Sequence, residues 1–205
     1  MLKISLTELE TAKKDPVAFR AKHEDKGRGG GRSSIYMTLR NAIFEYHKTS
    51  NFTNGMNYLE SHLEQFSDHA KCQKAVDHLQ WYGEEYQKLN WPLIQTRVNI
   101  VIPLSTQYAD SLRLSGQISR LDINPIEGYG AWLFRKEGAD GWENELQMPI
   151  IQNAVGVLLG MTVKPKVVVG IVSFAERIMG FREYSEVEVA KAHIDLEAIF
   201  KQMGY

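Results

Sequence analysis

Thiols are almost absent from this chain: Cys72 is its single cysteine in 205 residues. An internal disulfide framework and a multi-thiolate zinc centre are therefore excluded, and a reduced, cytoplasmic setting is expected. Cys72 sits in a helical pattern among charged residues, with no activating histidine in an evident turn to make it a nucleophile. Long apolar runs are missing too. None approaches the roughly 18 residues that a membrane-spanning helix needs, and the opening MLKISLTELETAKKD has neither the apolar stretch nor the small-residue cleavage site of a secretory signal. No membrane partner is expected. Nor is there an excess of one charge. Twenty-four Lys and Arg stand against twenty-five Asp and Glu, so any nucleic-acid binding needs a local patch rather than a global field. Histidines with metal-ligand spacing are also lacking; His62 and His69 are seven apart, but a break near Ser67 separates them, and a zinc site is discounted.

What the chain does have is 43% hydrophobic residues, enough for one well-buried domain spanning residues 1–205. Residues 1–91 read as a mostly helical part and residues 92–205 as a sheet-bearing core. Ser5 and Glu8 form a capping-box pattern that opens a short helix with Leu6, Leu9 and Ala12 on one face, closed by Asp15-Pro16. The glycine-rich stretch Asp25 to Ser34, DKGRGGGRSS, predicts a loop. No Lys-Ser or Lys-Thr pair follows its glycines at Walker spacing; Arg28 and Arg32 make it either a phosphate-contacting arm or a solvated connector. Apolar positions Ile35, Leu39, Ala42, Ile43 and Tyr46 predict an amphipathic helix over 33–47. TSNFTNG breaks it, and helices over 56–66 and 68–89 follow, ending at Asn90-Trp91-Pro92.

After Pro92 the hydrophobic period changes to two. LIQTRVNIVIPL, LRLSGQISRLDI and GYGAWLFRK predict three consecutive antiparallel strands. ELQMPIIQNAVGVLLGM predicts a buried helix with Pro149 in its first turn, ended by Lys164-Pro165. The continuous apolar run KVVVGIVSF predicts a central strand, and a last helix covers about 185–202.

Four stretches in this order carry a family likeness: ISLTELETAKKDPVAFR as an opening helix, LSGQISRLDI as a Gly-x-x-Asp strand, WLFRK in the place of an Asp/Glu-x-Lys strand, and ELQMPIIQNAVGVLLG as a glutamine-bearing helix. Together they resemble the PD-(D/E)XK nuclease superfamily, in its helicase-associated exonuclease branch. The resemblance implies an α/β (α+β) fold, a restriction-endonuclease-like αβββαβ core with a mixed central sheet and an N-terminal helical elaboration. It also implies a chemistry in which two carboxylates hold Mg2+ at the scissile phosphate while a lysine orients water and steadies developing charge.

Carried across residue by residue, the motif is broken. Counting three on from Gly116 puts Ser119 at the strand aspartate, and counting two back from Lys136 puts Phe134 at the second carboxylate. Lys136 and Gln147 keep the family's residue type. Ile35 and Tyr36 fall near the place of an acid or histidine sometimes found in the first core helix, with Glu45 two to three turns on. Asp122 would replace the missing ligand only if a bulge reversed the strand alternation, and Glu143 or Glu145 would supply a migrated carboxylate. The catalytic candidates are thus Lys136, Asp122, Glu145 and Gln147, and the metal candidates, for a Mg2+-dependent enzyme, are Asp122, Glu143 and Glu145. Each also has a plainer role: Asp122 starts a turn, the two glutamates suit a helix N-terminus, and Lys136 is solvated. Nucleic-acid contacts are assigned to Arg28, Arg32, Arg120 and Arg135, although Arg113 and Arg120 have opposite strand parity and Arg97 need not face with the others.

The expected function is that of a divergent nuclease-like protein with impaired or absent hydrolysis, acting on or binding nucleic acid and having no cofactor. One alternative is an active Mg2+-dependent nuclease with rearranged carboxylates. The other is a protein-interaction module anchored by Trp81, Trp91, Trp132 or Trp142, for which the partner is protein.

Overall fold

A computed structural model describes residues 1–24, 34–126, 128–160 and 166–205. The chain opens with strand β1 (Leu2–Ser5), a 3-10 turn (Leu6–Glu8), and helices α1 (Leu9–Lys14) and α2 (Pro16–Glu24). The capping box is present: the Glu8 carboxylate accepts from the Ser5 backbone N–H at 3.0 Å and from Ser5 Oγ at 2.7 Å. Helix α3 (Ile35–Thr49) is capped by Ser34, α4 (Phe52–Leu63) by Asn51 and α5 (His69–Leu89) by Asp68. The break expected across TSNFTNG is much shorter. Ser50 takes a left-handed conformation and the Asn51 side chain accepts from the Thr53 N–H at 2.9 Å, so α4 starts at once.

Beyond Pro92 come β2 (Leu93–Ile102), the one-turn α6 (Thr106–Ala109), β3 (Leu112–Asn124), β4 (Gly128–Arg135), a 3-10 turn (Trp142–Asn144), α7 (Gln147–Leu158), β5 (Val167–Ser173), β6 (Ile178–Arg182) and α8 (Glu186–Gln202). The expected strand, strand, strand, helix, strand, helix order is therefore realised, with two additions. β1 is only four residues long and pairs solely with the distant β3, so nothing in its local pattern announces it. β6 forms by turning back antiparallel on β5.

All six strands form one mixed sheet. The long β3 organises it. β2 runs antiparallel along one edge of β3. On the other edge, β1 pairs in parallel from Leu112 to Ser115 and β4 pairs antiparallel from Arg120 to Asn124. β5 lies parallel to β4 and carries β6, which makes β5 an interior strand and explains why all seven of its residues are buried.

Two apolar cores sandwich this sheet. One joins Leu6, Leu9 and Ala12 to Leu114, Leu133, Ile171 and the inner faces of α7 and α8. The other joins α3, α4 and α5 to Trp132, Phe134, Val172 and Phe174. Trp91, Trp132 and Trp142 are buried in these cores and Trp81 is half-buried against one of them, so the tryptophans expected as partner anchors are mostly structural. Ile118 and Leu121, three apart in β3, both face the α1/α7/α8 side. An odd separation on one face means the alternation is reset between them. Opposite this point in β2, Arg97 has a positive φ of 55°, a costly conformation for a residue with a side chain.

Candidate functional site

The site follows from how β3 is shared. Between the last β1 pair, at Ser115, and the first β4 pair, at Arg120, that edge of β3 has no strand neighbour among the described residues. β4 instead splays away after Trp132, and the Phe134 N–H donates to Ser119 Oγ at 2.9 Å rather than to backbone. The opening is a cavity of about 350 Å³. Gln117 and Ser119 line it from β3, Leu133, Phe134 and Arg135 from β4, and Thr7 and Glu10 from the segment after β1. Gly116 permits that last approach, because a Cβ there would lie 2.5 Å from Leu6 Cδ1.

Inside the cavity the charges are already matched. Arg135 grips Glu145 with both ends of its guanidinium, at 2.6 and 2.5 Å, with the two side chains only 15% and 21% exposed; this is the bidentate geometry that makes arginine–carboxylate pairs strong. Gln147 Nε2 donates to the same carboxylate at 2.6 Å, while Gln147 Oε1 is buried without a partner among the described residues. Glu10 Oε1 accepts from the Leu146 N–H at 2.5 Å.

This donor set does not fit Mg2+. A hard divalent ion seeks several anionic or carbonyl oxygens at short range. Here Ser119 offers a neutral hydroxyl, Leu133 and Phe134 offer no side-chain oxygen, Glu10 Oε1 already accepts from the Leu146 N–H, and both Glu145 oxygens face a guanidinium whose charge opposes that of a cation. Among the described residues no group of three or more His, Cys, Asp or Glu could hold a metal ion.

The structure sorts the sequence candidates as follows. Glu145 and Gln147 come together in the cavity with Arg135. Lys136 does not: β4 ends at Arg135, and Lys136 turns to the opposite side, 68% exposed and 3.6 Å from Glu137. Phe134, at the place of the family's second carboxylate, does line the cavity between Leu133 and Arg135, while its ring also packs in the aromatic core. Glu143 lies outside this cavity, along a separate groove beside Arg182 and Lys191. Arg28 and Arg32 fall outside the described residues.

Asp122 and Arg120 are neither turn starter nor phosphate contact. Both are fully buried, paired with each other at 2.7 Å within the α3/α4/α5 core. Arg120 donates to Tyr82 Oη at 2.5 Å, and that hydroxyl lies 2.6 Å from His47 Nε2. The guanidinium also sits 4.5 Å from the Tyr86 ring and 4.8 Å from the Trp132 ring, a cation held between aromatic faces. Burial pushes the Asp122 carboxyl up to about 7, against the pull of Arg120. Burial also holds His47 down to about 3, with Arg120 adding to the effect.

Sequence reasoning missed Glu10 and Arg40. Arg40 lines the cavity from α3, where Tyr36, Arg40 and Phe44 stand four apart and therefore share a stripe. Its guanidinium lies 5.9 Å from the Tyr36 ring and 5.7 Å from the Phe44 ring, and Arg97 covers Phe44 at 4.3 Å. The three-residue stripe is the signal that was available. Glu10, on α1, had none, since only the β1–β3 pairing brings it beside α7.

No protein-family model matches the chain, and no curated protein matches it in sequence. Among solved structures it is similar to the "Putative exonuclease" of Eubacterium rectale, with a TM-score of 0.52 and 12% identity over 99% of this chain and 82% of that one. A second, SSO0001, reaches a TM-score of 0.30 at 9% identity, covering 94% of this chain and 85% of that one, and carries no argument. At such identities the likeness to the Eubacterium rectale protein is one of fold.

Proposed function

We propose that this chain is a nuclease-fold protein that binds nucleic acid phosphates at the splayed edge of β3 and does not cut them. The fold likeness to a protein named as an exonuclease supports the general class. The observation that carries the rest is the cavity itself. Its strand positions hold Ser119, Leu133 and Phe134, and its best-placed carboxylate, Glu145, is tied to Arg135. Hydrolysis of a phosphodiester by the family's chemistry needs anionic metal ligands at those places; the residues present there are neutral. Arg40 and Arg135 border the opening, and Arg97 stands beside Arg40 across Phe44. Arginine forks of this kind suit phosphate oxygens.

The test is a pair of assays on labelled single- and double-stranded DNA and RNA. With Mg2+ or Mn2+, no cleavage is expected. With salt titrated upward, binding should weaken along a log–log line, and Arg40→Ala should weaken it across all sequences. Metal-dependent cutting that Glu145→Gln abolishes would overturn the proposal in favour of an active enzyme.

A further inference from the structure

A second concavity, of about 250 Å³, adjoins the first through the Tyr36–Arg40 contact. Its floor is apolar, made by Leu39 and Ala75 with Phe174 beneath. Two ring systems stand in its wall: Tyr36, edge-on to Phe174 at 6.1 Å, and His78, tilted against Phe174 at the same centroid distance. His78 Nδ1 is buried without a hydrogen-bond partner among the described residues. Burial lowers the affinity of this imidazole for a proton, and Arg177 and Lys74 lower it further, with Asp77 opposing them.

The rim is cationic. Lys71, Lys74 and Lys136 line the opening, and among the described residues no acid does. Asp68 pairs with Lys71 at 2.7 Å and Glu137 approaches Lys136 at 3.6 Å; both pairs are exposed, and such pairs exchange readily for another anion. The two cavities are also linked by chain direction. Arg135 turns into the first and its neighbour Lys136 to the rim of the second, so cations run along both mouths.

We infer that this concavity is a nucleobase pocket, taking one unstacked base of a single strand against Tyr36 while the flanking phosphates lie on Lys74 and Lys136 and continue toward Arg40 and Arg135. The inference rests on the nucleic-acid reading given above. A small apolar slot walled by rings suits a planar heterocycle, and cations confined to the rim suit the phosphates on either side of it. A long acyl chain would need a longer channel than 250 Å³ provides.

The experiment compares labelled oligothymidylate with the same backbone carrying abasic sugars, at about 50 mM salt. Wild type should prefer the base-bearing strand by roughly fivefold or more, the lower end of what stacking on one aromatic ring gives. Tyr36→Leu should erase that preference while leaving the abasic strand's affinity in place. Because Tyr36 is half-buried, its variant is checked by thermal melting. If it does not fold, exposed Lys74→Glu, compared with the remote Lys191→Glu on α8, decides instead: only the former should weaken binding. Equal affinity for both strands, a preference that survives Tyr36→Leu, or an effect of Lys191→Glu matching that of Lys74→Glu would overturn the pocket and leave the nucleic-acid reading standing. Absence of binding to either strand would remove that reading, and the pocket with it.

Discussion

Arg120→Met is the substitution whose outcome this structure specifies most closely. The side chain is fully buried, its Nε is 2.7 Å from Asp122, and removing it strands a carboxylate among Tyr82, Tyr86 and Trp132. Breaking a buried ion pair by deleting one partner costs about 3–5 kcal/mol, a large share of the roughly 5–15 kcal/mol that keeps a domain folded. The pH dependence follows from the raised carboxyl. Asp122 sits at about 7 in the folded protein, against ~3.9 in an unfolded chain. Between those values the folded state binds more protons, so this contribution is complete below the unfolded value and is lost as pH rises through the window, by up to ~1.4 kcal/mol per unit. Without Arg120 the folded value climbs and the window extends upward. The deficit of Arg120→Met relative to wild type should then widen by about 1 kcal/mol between pH 6 and pH 8. The buried His47 gives the wild-type curve an opposite slope, losing stability as pH falls from its unfolded value toward about 3, which is why the difference between variants is the quantity to read. Urea unfolding followed by tryptophan fluorescence at several pH values measures it. The double variant Arg120→Met/Asp122→Leu, which removes both charges, should recover most of the loss. A single-variant cost below about 1 kcal/mol, or a deficit that narrows with rising pH, would refute the reasoning.

Three further outcomes test other parts of the structure. Glu145→Gln should release Arg135 from its bidentate partner, tighten oligonucleotide binding several-fold and steepen the salt slope by about one; unchanged binding in fluorescence anisotropy would place Arg135 away from the phosphates. In Gly170→Ala the new Cβ would lie 2.6 Å from the Gly180 carbonyl oxygen and 2.8 Å from the Trp132 ring, so a loss of about 1–3 kcal/mol is expected in chemical denaturation, and a fully tolerated alanine would show that β6 and Trp132 yield there without cost. Ser185→Ala removes the capping box that Ser185 forms with Glu188 at the start of α8 and should cost about 1 kcal/mol, readable as a lowered Tm.

The sequence alone determined the elements whose signals are local. Capping residues and a 3.6-residue period located α3, α5 and α8, the period change after Pro92 located the three strands, and the unbroken apolar run of β5 disclosed an interior strand. The same locality left Ser119 visible as a hydroxyl where the resembled family carries an acid. What the tertiary structure decided depends on which face a strand presents and on who stands opposite. Strand alternation is a parity, so the end of β4 at Arg135 decided that Arg135 enters the cavity while Lys136 turns to the opposite side. Asp122, legible only as a residue before a turn, became half of an ion pair because α3 and α5 fold back over that end of β3 and exclude water. Glu10 reaches the cavity only because β1, of four residues, docks on a strand far along the chain, and Arg40 because α3 packs across the sheet. Pairings between distant segments leave no period in either segment, and the site is built almost entirely from such pairings.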